Sequence, residues 1–210
     1  MAVKNRCVLI GAGEMKITQL SLEEDDFVIA VDGGLDHCKR LQIRPNLLVG
    51  DFDSVESDLT EYRGELIKLP CEKDDTDMIF AIKEGMKRGY NDFLLYGATG
   101  GRLDHTIANI QTLIFINSMH AKGMILDDKL EIQVLTNHNT ITFGKERKGI
   151  LSVFSLDAES KGVNITGMKY ELADATIHSN FPIGVSNEFI GEPGSVSVED
   201  GTLLLICQDS

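Results

Sequence analysis

Phe93-Leu94-Leu95-Tyr96-Gly97-Ala98-Thr99-Gly100-Gly101-Arg102-Leu103-Asp104-His105 carries the clearest structural signal in the chain. A short apolar run stops at glycine, a Gly-rich turn follows, and Ile107, Ile110 and Leu113 then recur at helical spacing. That is a strand, a turn and a helix in immediate succession. The pattern repeats on the N-terminal side. Cys7–Ile10 runs into Gly11, Phe27–Val31 into Asp32-Gly33-Gly34, and Leu47–Gly50 into Asp51. Leu66–Leu69 stops at Pro70, and Gly123–Leu126 closes the series. The spacing predicts a helix over 76–88 with Ile79, Ile82 and Met86 on one face and Gly89 as its stop, and a second helix starting at Asp104. Strands alternating with helices imply an α/β fold: a Rossmann-like parallel sheet with helices on both faces.

Beyond residue 130 the texture changes. Glu131–Leu135, Ile150–Leu156, Asn164–Thr166, Tyr170–Ile177, Ser195–Val198 and Leu203–Ile206 are short, often alternating, and separated by Gly, Asn or Asp. No helical period is visible there, so a C-terminal antiparallel β-sandwich is expected. The division falls at 1–130 and 131–210, with no Pro/Ser-rich linker between them.

Composition narrows the function classes. With 33 acidic against 20 basic residues and a net charge of -13, the chain is a poor partner for nucleic acid, whose backbone needs Lys and Arg. Cys7, Cys38, Cys71 and Cys207 form no C-x-x-C pair, which argues against zinc and thioredoxin chemistry and fits reduced thiols in a cytoplasmic protein. No run reaches the length of a membrane span, and the apolar stretch before Gly11 is too short for a secretory signal.

Aspartates gather where predicted strands end: Asp32; Asp51 and Asp53; Asp74, Asp75 and Asp77; and Asp104. In an open parallel sheet those ends converge on one crevice. Carboxylates there repel unless a cation joins them, and a hard oxygen-loving ion travels with a phosphate chain. The first functional reading is therefore an enzyme acting on a Mg²⁺-nucleotide. Each cluster also has a plainer explanation. Asp32 could cap a helix, with Gly33 and Gly34 allowing close backbone approach of chain or ligand. Asp51 and Asp53, two apart on extended backbone, would share a face while Phe52 turns to the apolar side, or they could form an acidic turn. An EF-hand is excluded, because Val55 and Glu56 occupy its third ligand and glycine positions. Asp74 to Asp77 could cap a helix through Thr76, although three carboxylates exceed that need; Lys73 could neutralise one or reach a phosphate. Gly100, Gly101 and Arg102 suit an anion site at a helix start, and Asp104 could cap or bind metal. His105 has no histidine partner and reads as structural. Gly11-Ala12-Gly13-Glu14 opens like a dinucleotide fingerprint, but Lys16 stands where its third glycine belongs.

Taken together and in order, Asp32-Gly33-Gly34, Gly50–Ser54, Asp74–Asp77 and Gly100–Asn109 resemble the thiamin pyrophosphokinase family, and Gly184–Phe189 is similar to that family's late motif. The resemblance spans most of the chain. It implies transfer of diphosphate from Mg-ATP to the hydroxyl of thiamin, giving thiamin diphosphate and AMP, by a homodimer with its active site between subunits. It implies Asp32, Asp51, Asp53 and Asp77 as Mg²⁺ ligands, and Asp53, Asp77, Arg102 and Asp104 as catalytic groups. Gly33, Gly34, Lys73, Thr76, Gly100 and Gly101 would join Arg102 at the nucleotide. Ser186 and Asn187 would hold the thiamin pyrimidine from the neighbouring subunit. The chain has no Trp, so Phe181, Phe189 or another apolar group would stack on the vitamin. Two alternatives stay open: a related nucleotide-dependent transferase with another alcohol acceptor, and a non-catalytic nucleotide- or thiamin-binding regulator.

Overall fold

The computed structural model describes residues 6–52, 62–70 and 74–209. The chain divides into two compact units, residues 1–128 and 129–210.

The first unit contains β1 (Arg6–Ile10), β2 (Phe27–Val31), α1 (Gly34–Arg40), β3 (Leu47–Gly50), β4 (Glu65–Lys68), α2 (Asp77–Lys87), β5 (Asp92–Tyr96), α3 (Leu103–Ser118) and β6 (Lys122–Asp127). Its strands lie in the order β6-β5-β1-β2-β3-β4, and every adjacent pair is parallel. Strands sealed on both faces must be apolar throughout, which is why Cys7–Ile10, Val28–Val31 and Leu47–Val49 are continuously buried. Successive side chains alternate between faces. Val8, Ile10, Val28, Ala30 and Leu48 meet Leu35 and Cys38 of α1 on one side. On the other, α2 lies close enough that a Cβ on Gly85 would sit 2.9 Å from the Phe93 ring and 3.2 Å from Cys7 Sγ. The chain winds from β1 outward to β4, then crosses back to β5 on the far side of β1. The winding therefore reverses between β1 and β5, and a crevice opens at their carboxyl ends.

Details differ from the sequence reading. The short helix α1 entered the sequence reading only as a helix that Asp32 could cap, without bounds; its apolar signal is only Leu35 and Cys38, less than two turns' worth. The buried stripe of α2 is Met78, Ala81, Ile82 and Gly85, which moves Ile79 and Met86 to its margins. In α3, Leu113 and Ile116 are buried, whereas Ile107 is 50% exposed. The first turns of α3 flank the crevice rather than the core, so helical spacing there does not mean burial.

The second unit, among the described residues, is all β: β7 (Leu130–Thr136), β8 (Asn139–Phe143), β9 (Ile150–Ser155), β10 (Glu159–Thr166), β11 (Leu172–His178), β12 (Gly184–Glu188), β13 (Gly194–Val198) and β14 (Thr202–Gln208). Strands β12-β9-β14-β7 pair antiparallel. Strands β11-β10-β13-β8 form a separate antiparallel sheet. Leu151, Val153, Leu203 and Leu205 of the first share one apolar cluster with Val163, Ile165, Ile177 and Val196 of the second. Strands β8 and β12 escaped the sequence reading. Asn139–Phe143 and Gly184–Glu188 are half polar, and their pairing comes from neighbours rather than from their own composition.

Candidate active site

A cavity of about 450 Å³ lies at the reversal point of the first unit. Its walls come from the loop after β1 (Gly11 to Glu14), Asp32 after β2, Thr76 and Asp77 at the start of α2, and Gly100, Gly101 and Arg102 before α3. Backbone bonds lace these loops together. Gly11 N–H donates to Tyr96 O and Gly13 N–H to Gly97 O, both at 2.8 Å. A Cβ on Gly13 would stand 2.6 Å from that same carbonyl, so the residue must be glycine for the loops to touch. This close approach accounts for Gly11 and Gly13 without a dinucleotide fingerprint.

Asp32 is the electrostatic centre of the cavity. Its backbone is left-handed at φ 50, a region Asp enters more readily than most residues. Its Oδ1 accepts the Asp51 N–H at 3.1 Å, and its carboxyl lies against that of Asp77. Burial, the Asp77 contact and the charges of Asp77 and Asp51 push its pKa up from 3.8 to about 7, against the opposing pull of the Asp51 N–H. Asp32, Asp51 and Asp77 are thus brought together, with Asp51 lying outside the cavity lining. Asp32 does not cap α1: Gly33 holds that position and makes no side-chain bond. Neither Gly33 nor Gly34 lines the cavity. A Cβ on Gly34 would fall 1.8 Å from Ile10 O, so this glycine serves the approach of α1 to β1.

Phe52 lies at φ 61 and so is not extended, unlike the backbone assumed in the sequence reading. Its ring packs on the apolar cluster under α1, as expected from the sequence. Asp53 and Lys73 lie outside the described residues. Thr76 is the N-cap of α2, with Oγ1 accepting the Ile79 N–H at 3.2 Å. Asp75 is held by Lys83 at 2.7 Å, which leaves Asp77 as the carboxylate of this segment that faces the cavity.

Arg102 forms a bidentate pair with Asp104, at 2.6 Å for Nη2–Oδ2 and 3.2 Å for Nε–Oδ1. That pair, helped by the His105 N–H, holds the Asp104 carboxyl down to about 2. Asp104 is not the N-cap of α3; Arg102 occupies that position without a side-chain bond. Both partners are well exposed, so their pairing is worth little and Arg102 is available to an incoming anion. Gly100 and Gly101 adopt φ 78 and 60, and no atom lies within 4 Å of where a Gly101 Cβ would sit. They line the cavity just before α3, and a glycine turn leading into a helix start is chemistry that suits an anion. His105 and Asn109 complete the lining; Asn109 Nδ2 donates to Ala98 O at 2.8 Å and pins the β5 loop to α3. Nothing in the sequence marked Asn109 as a loop anchor, since its partner is a backbone carbonyl.

Among the described residues, no three of Asp, Glu, His or Cys are spaced as a complete ion cage. Mg²⁺ does not require one, because it commonly takes one or two carboxylates and completes its shell with phosphates and water. The crowded Asp32–Asp77 pair fits that donor chemistry.

Comparison with known proteins now decides the family. A family described as the thiamin pyrophosphokinase catalytic domain matches residues 18–125, and one described as the thiamin pyrophosphokinase vitamin B1 binding domain matches 138–203. The chain belongs to the thiamin pyrophosphokinase family. The thiamine pyrophosphokinase of Bacillus subtilis is 28% identical over 188 residues, covering 88% of each chain. The crystal structure of a thiamin pyrophosphokinase family protein from Enterococcus faecalis gives a TM-score of 0.84 at 27% identity, over 98% of this chain and 100% of that one. The Bacillus subtilis crystal structure gives 0.87 at 24% identity over 98% and 100%, a likeness of fold.

The family's late motif falls on β12, in the second unit. Ser186 is exposed at φ 57, with its N–H donating to Ser152 Oγ at 3.1 Å. Asn187 is buried, and its side chain is engaged within the unit. Oδ1 accepts the Tyr170 and Glu188 N–H groups at 2.9 Å, and Nδ2 donates to Tyr170 O at 2.6 Å. The geometry makes Asn187 the anchor of the Tyr170 turn and leaves Ser186 as the outward-facing member of the pair. Of the stacking candidates, Phe181 is 67% exposed, whereas Phe189 packs edge-on against Phe143 in the core.

Proposed function

We propose that this protein transfers the diphosphate of ATP to the hydroxyl of thiamin, forming thiamin diphosphate and releasing AMP. The observation that carries the reading is the convergence of Asp32 and Asp77 with Gly100, Gly101 and Arg102 around one cavity. Carboxylates face an anion-binding turn across a space suited to a triphosphate. In this reading the first unit is a Rossmann-like nucleotide-binding domain. The second is a β-sandwich that receives thiamin and joins two subunits.

Asp32, Asp51 and Asp77 would hold Mg²⁺, with Asp53 assigned to the same set. Bound there, the ion supplies charge neutralisation and alignment of phosphate oxygens. The chain does the rest by positioning, because diphosphoryl transfer asks little covalent help of protein. Arg102 exchanges its exposed partner Asp104 for phosphate oxygens, and the Gly100 and Gly101 N–H groups take up charge beside it. The thiamin hydroxyl oxygen bonds to the β-phosphorus as that phosphorus loses its bond to the α–β bridging oxygen. AMP leaves with that oxygen. The hydroxyl proton passes to a carboxylate of the cluster, Asp77 or Asp53. Thr76 and Lys73 belong to the phosphate surroundings, and Ser186 to the thiamin side.

Exposed Tyr170, Phe181, Ile183, Val185 and Ile190 on the second unit support a homodimer. Free, buried Cys7, Cys38 and Cys207 suit a cytoplasmic setting, and among the described residues no helix is long and apolar enough to cross a membrane. Product analysis after mixing protein, Mg-ATP and thiamin tests the whole reading. AMP with thiamin diphosphate supports it. ADP would mark an ordinary kinase, and tight binding without product would mark a regulator.

A further inference from the structure

We propose that His37 and Arg40 are positioning residues for the nucleotide, gripping the loop after β1 from behind the cavity. This rests on the nucleotide reading of the site. Gly11 to Glu14 form one wall of the cavity, yet the segment has no helix or strand of its own. Its front edge is tied to the β5 loop through the Gly11 and Gly13 N–H groups. Its back edge is tied to α1. His37 Nε2 lies 2.8 Å from Gly13 O; a carbonyl only accepts, so Nε2 carries the proton. Arg40 Nη2 donates to Met15 O at 3.1 Å and Nη1 to Ile17 O at 3.0 Å, one guanidinium bridging two carbonyls. His37 and Arg40 are three apart on α1 and so share a face. The carbonyls they hold belong to every second residue, and Met15 between them is buried in the apolar cluster under α1.

Neither His37 nor Arg40 lines the cavity, so both act through the loop. The same helix follows directly from Asp32-Gly33. One rigid element therefore sets the Asp32 carboxylate at its start and the opposite loop at its middle and end. The spacing between the carboxylates and the glycine wall, which a triphosphate must span, depends on that element. Cutting the Gly13 bond leaves the back edge held only beyond the cavity wall, by Arg40 at Met15 and Ile17. The cost should fall on the nucleotide and not on thiamin.

The test compares wild type with His37→Ala, His37→Gln, Arg40→Ala and Arg40→Lys in steady-state kinetics with each substrate varied, alongside thermal melting. For His37→Ala the expected result is an increase of about fivefold in KM for Mg-ATP, the loss of one hydrogen bond, with kcat and the thiamin KM within about twofold of wild type. His37→Gln, which keeps an N–H donor, should return the KM toward wild type, and Arg40→Ala should move it in the same direction as His37→Ala. Arg40→Lys keeps charge without the fork and should restore only part of the loss. A lower melting temperature with an unchanged Mg-ATP KM would overturn the proposal. So would parallel loss for both substrates that His37→Gln fails to mend. If wild type makes no thiamin diphosphate, the enzymatic reading fails separately. Calorimetric titration with Mg-ATP then decides: weaker binding by His37→Ala and Arg40→Ala supports the positioning role, and equal or absent binding in all proteins rejects it.

Discussion

The backbone N–H of Asp51 donates to Oδ1 of Asp32 at 3.1 Å, so the turn after β3 is registered on the turn after β2. That bond stabilises a charged Asp32, while burial and the neighbouring Asp77 carboxyl favour the neutral form and prevail. Two loops distant in sequence thereby build one acidic site.

The first prediction concerns pH. Asp32 has a folded pKa of about 7 against an ordinary 3.8, so between those values the folded chain binds more protons than the unfolded one. The contribution of Asp32 to the stability of the Mg²⁺-free protein should therefore be full below that window and be lost as pH rises through it. Mg²⁺ held by Asp32, as proposed, would compete with the proton, so its stabilising effect should be large at about pH 8 and small at about pH 5. Melting scans with and without Mg²⁺ across that range check this, and Asp32→Asn should flatten the dependence. A Mg²⁺ effect equal at both ends would break the link between this carboxylate and the ion.

Asp77→Asn removes the charge while keeping the size and the start of α2. Turnover should fall on the order of hundredfold or more, while in the absence of Mg²⁺ the variant should melt no lower than wild type, because the repulsion on Asp32 is relieved. Asp75→Asn is the control, because Lys83 already engages Asp75 at 2.7 Å. It should leave activity close to wild type. Equal losses in the two variants would mean that the acidic segment acts as a block and not through Asp77.

Most of the scaffold was legible because buried strands in a parallel sheet carry their own signature. Phe27–Val31 and Leu47–Gly50 are apolar runs punctuated by Asp or Gly, and the observed strands have those bounds. The cavity was legible for the related reason that the loops leaving parallel strands converge at one edge of the sheet. What stayed hidden depends on partners far away in sequence. Gly34 could have admitted either chain or ligand, and the neighbour that it meets is the Ile10 carbonyl. Asn187 carried a binding motif's signal, yet its polar atoms are engaged by Tyr170 and Glu188. Helix α1 is too short for periodicity to register, although it holds the loop after β1.

Gly34→Ala tests the packing under the site. The added Cβ would meet Ile10 O at 1.8 Å, a backbone atom that cannot rotate away. Helix α1 would have to lift off β1, at a cost of about 1–3 kcal/mol or more. Denaturant unfolding should show that loss, and activity should fall with it because Asp32 immediately precedes the helix. The neighbouring Gly33→Ala faces the Ala12 Cβ at 3.1 Å, a tight but yielding contact, and should cost clearly less.

Ser186 and Asn187 are adjacent in sequence but separate in expected effect. Asn187→Ala strips two hydrogen bonds from Tyr170 and one from Glu188 and leaves a cavity where a buried side chain stood, for a stability loss of about 1–3 kcal/mol. Ser186→Ala removes an exposed hydroxyl and should leave melting unchanged. If Ser186 meets thiamin, that variant should raise the thiamin KM and spare the Mg-ATP KM. The two measurements separate an anchor from a ligand contact: a Ser186→Ala enzyme with wild-type thiamin dependence would remove Ser186 from the vitamin site, whatever Asn187 does to the fold.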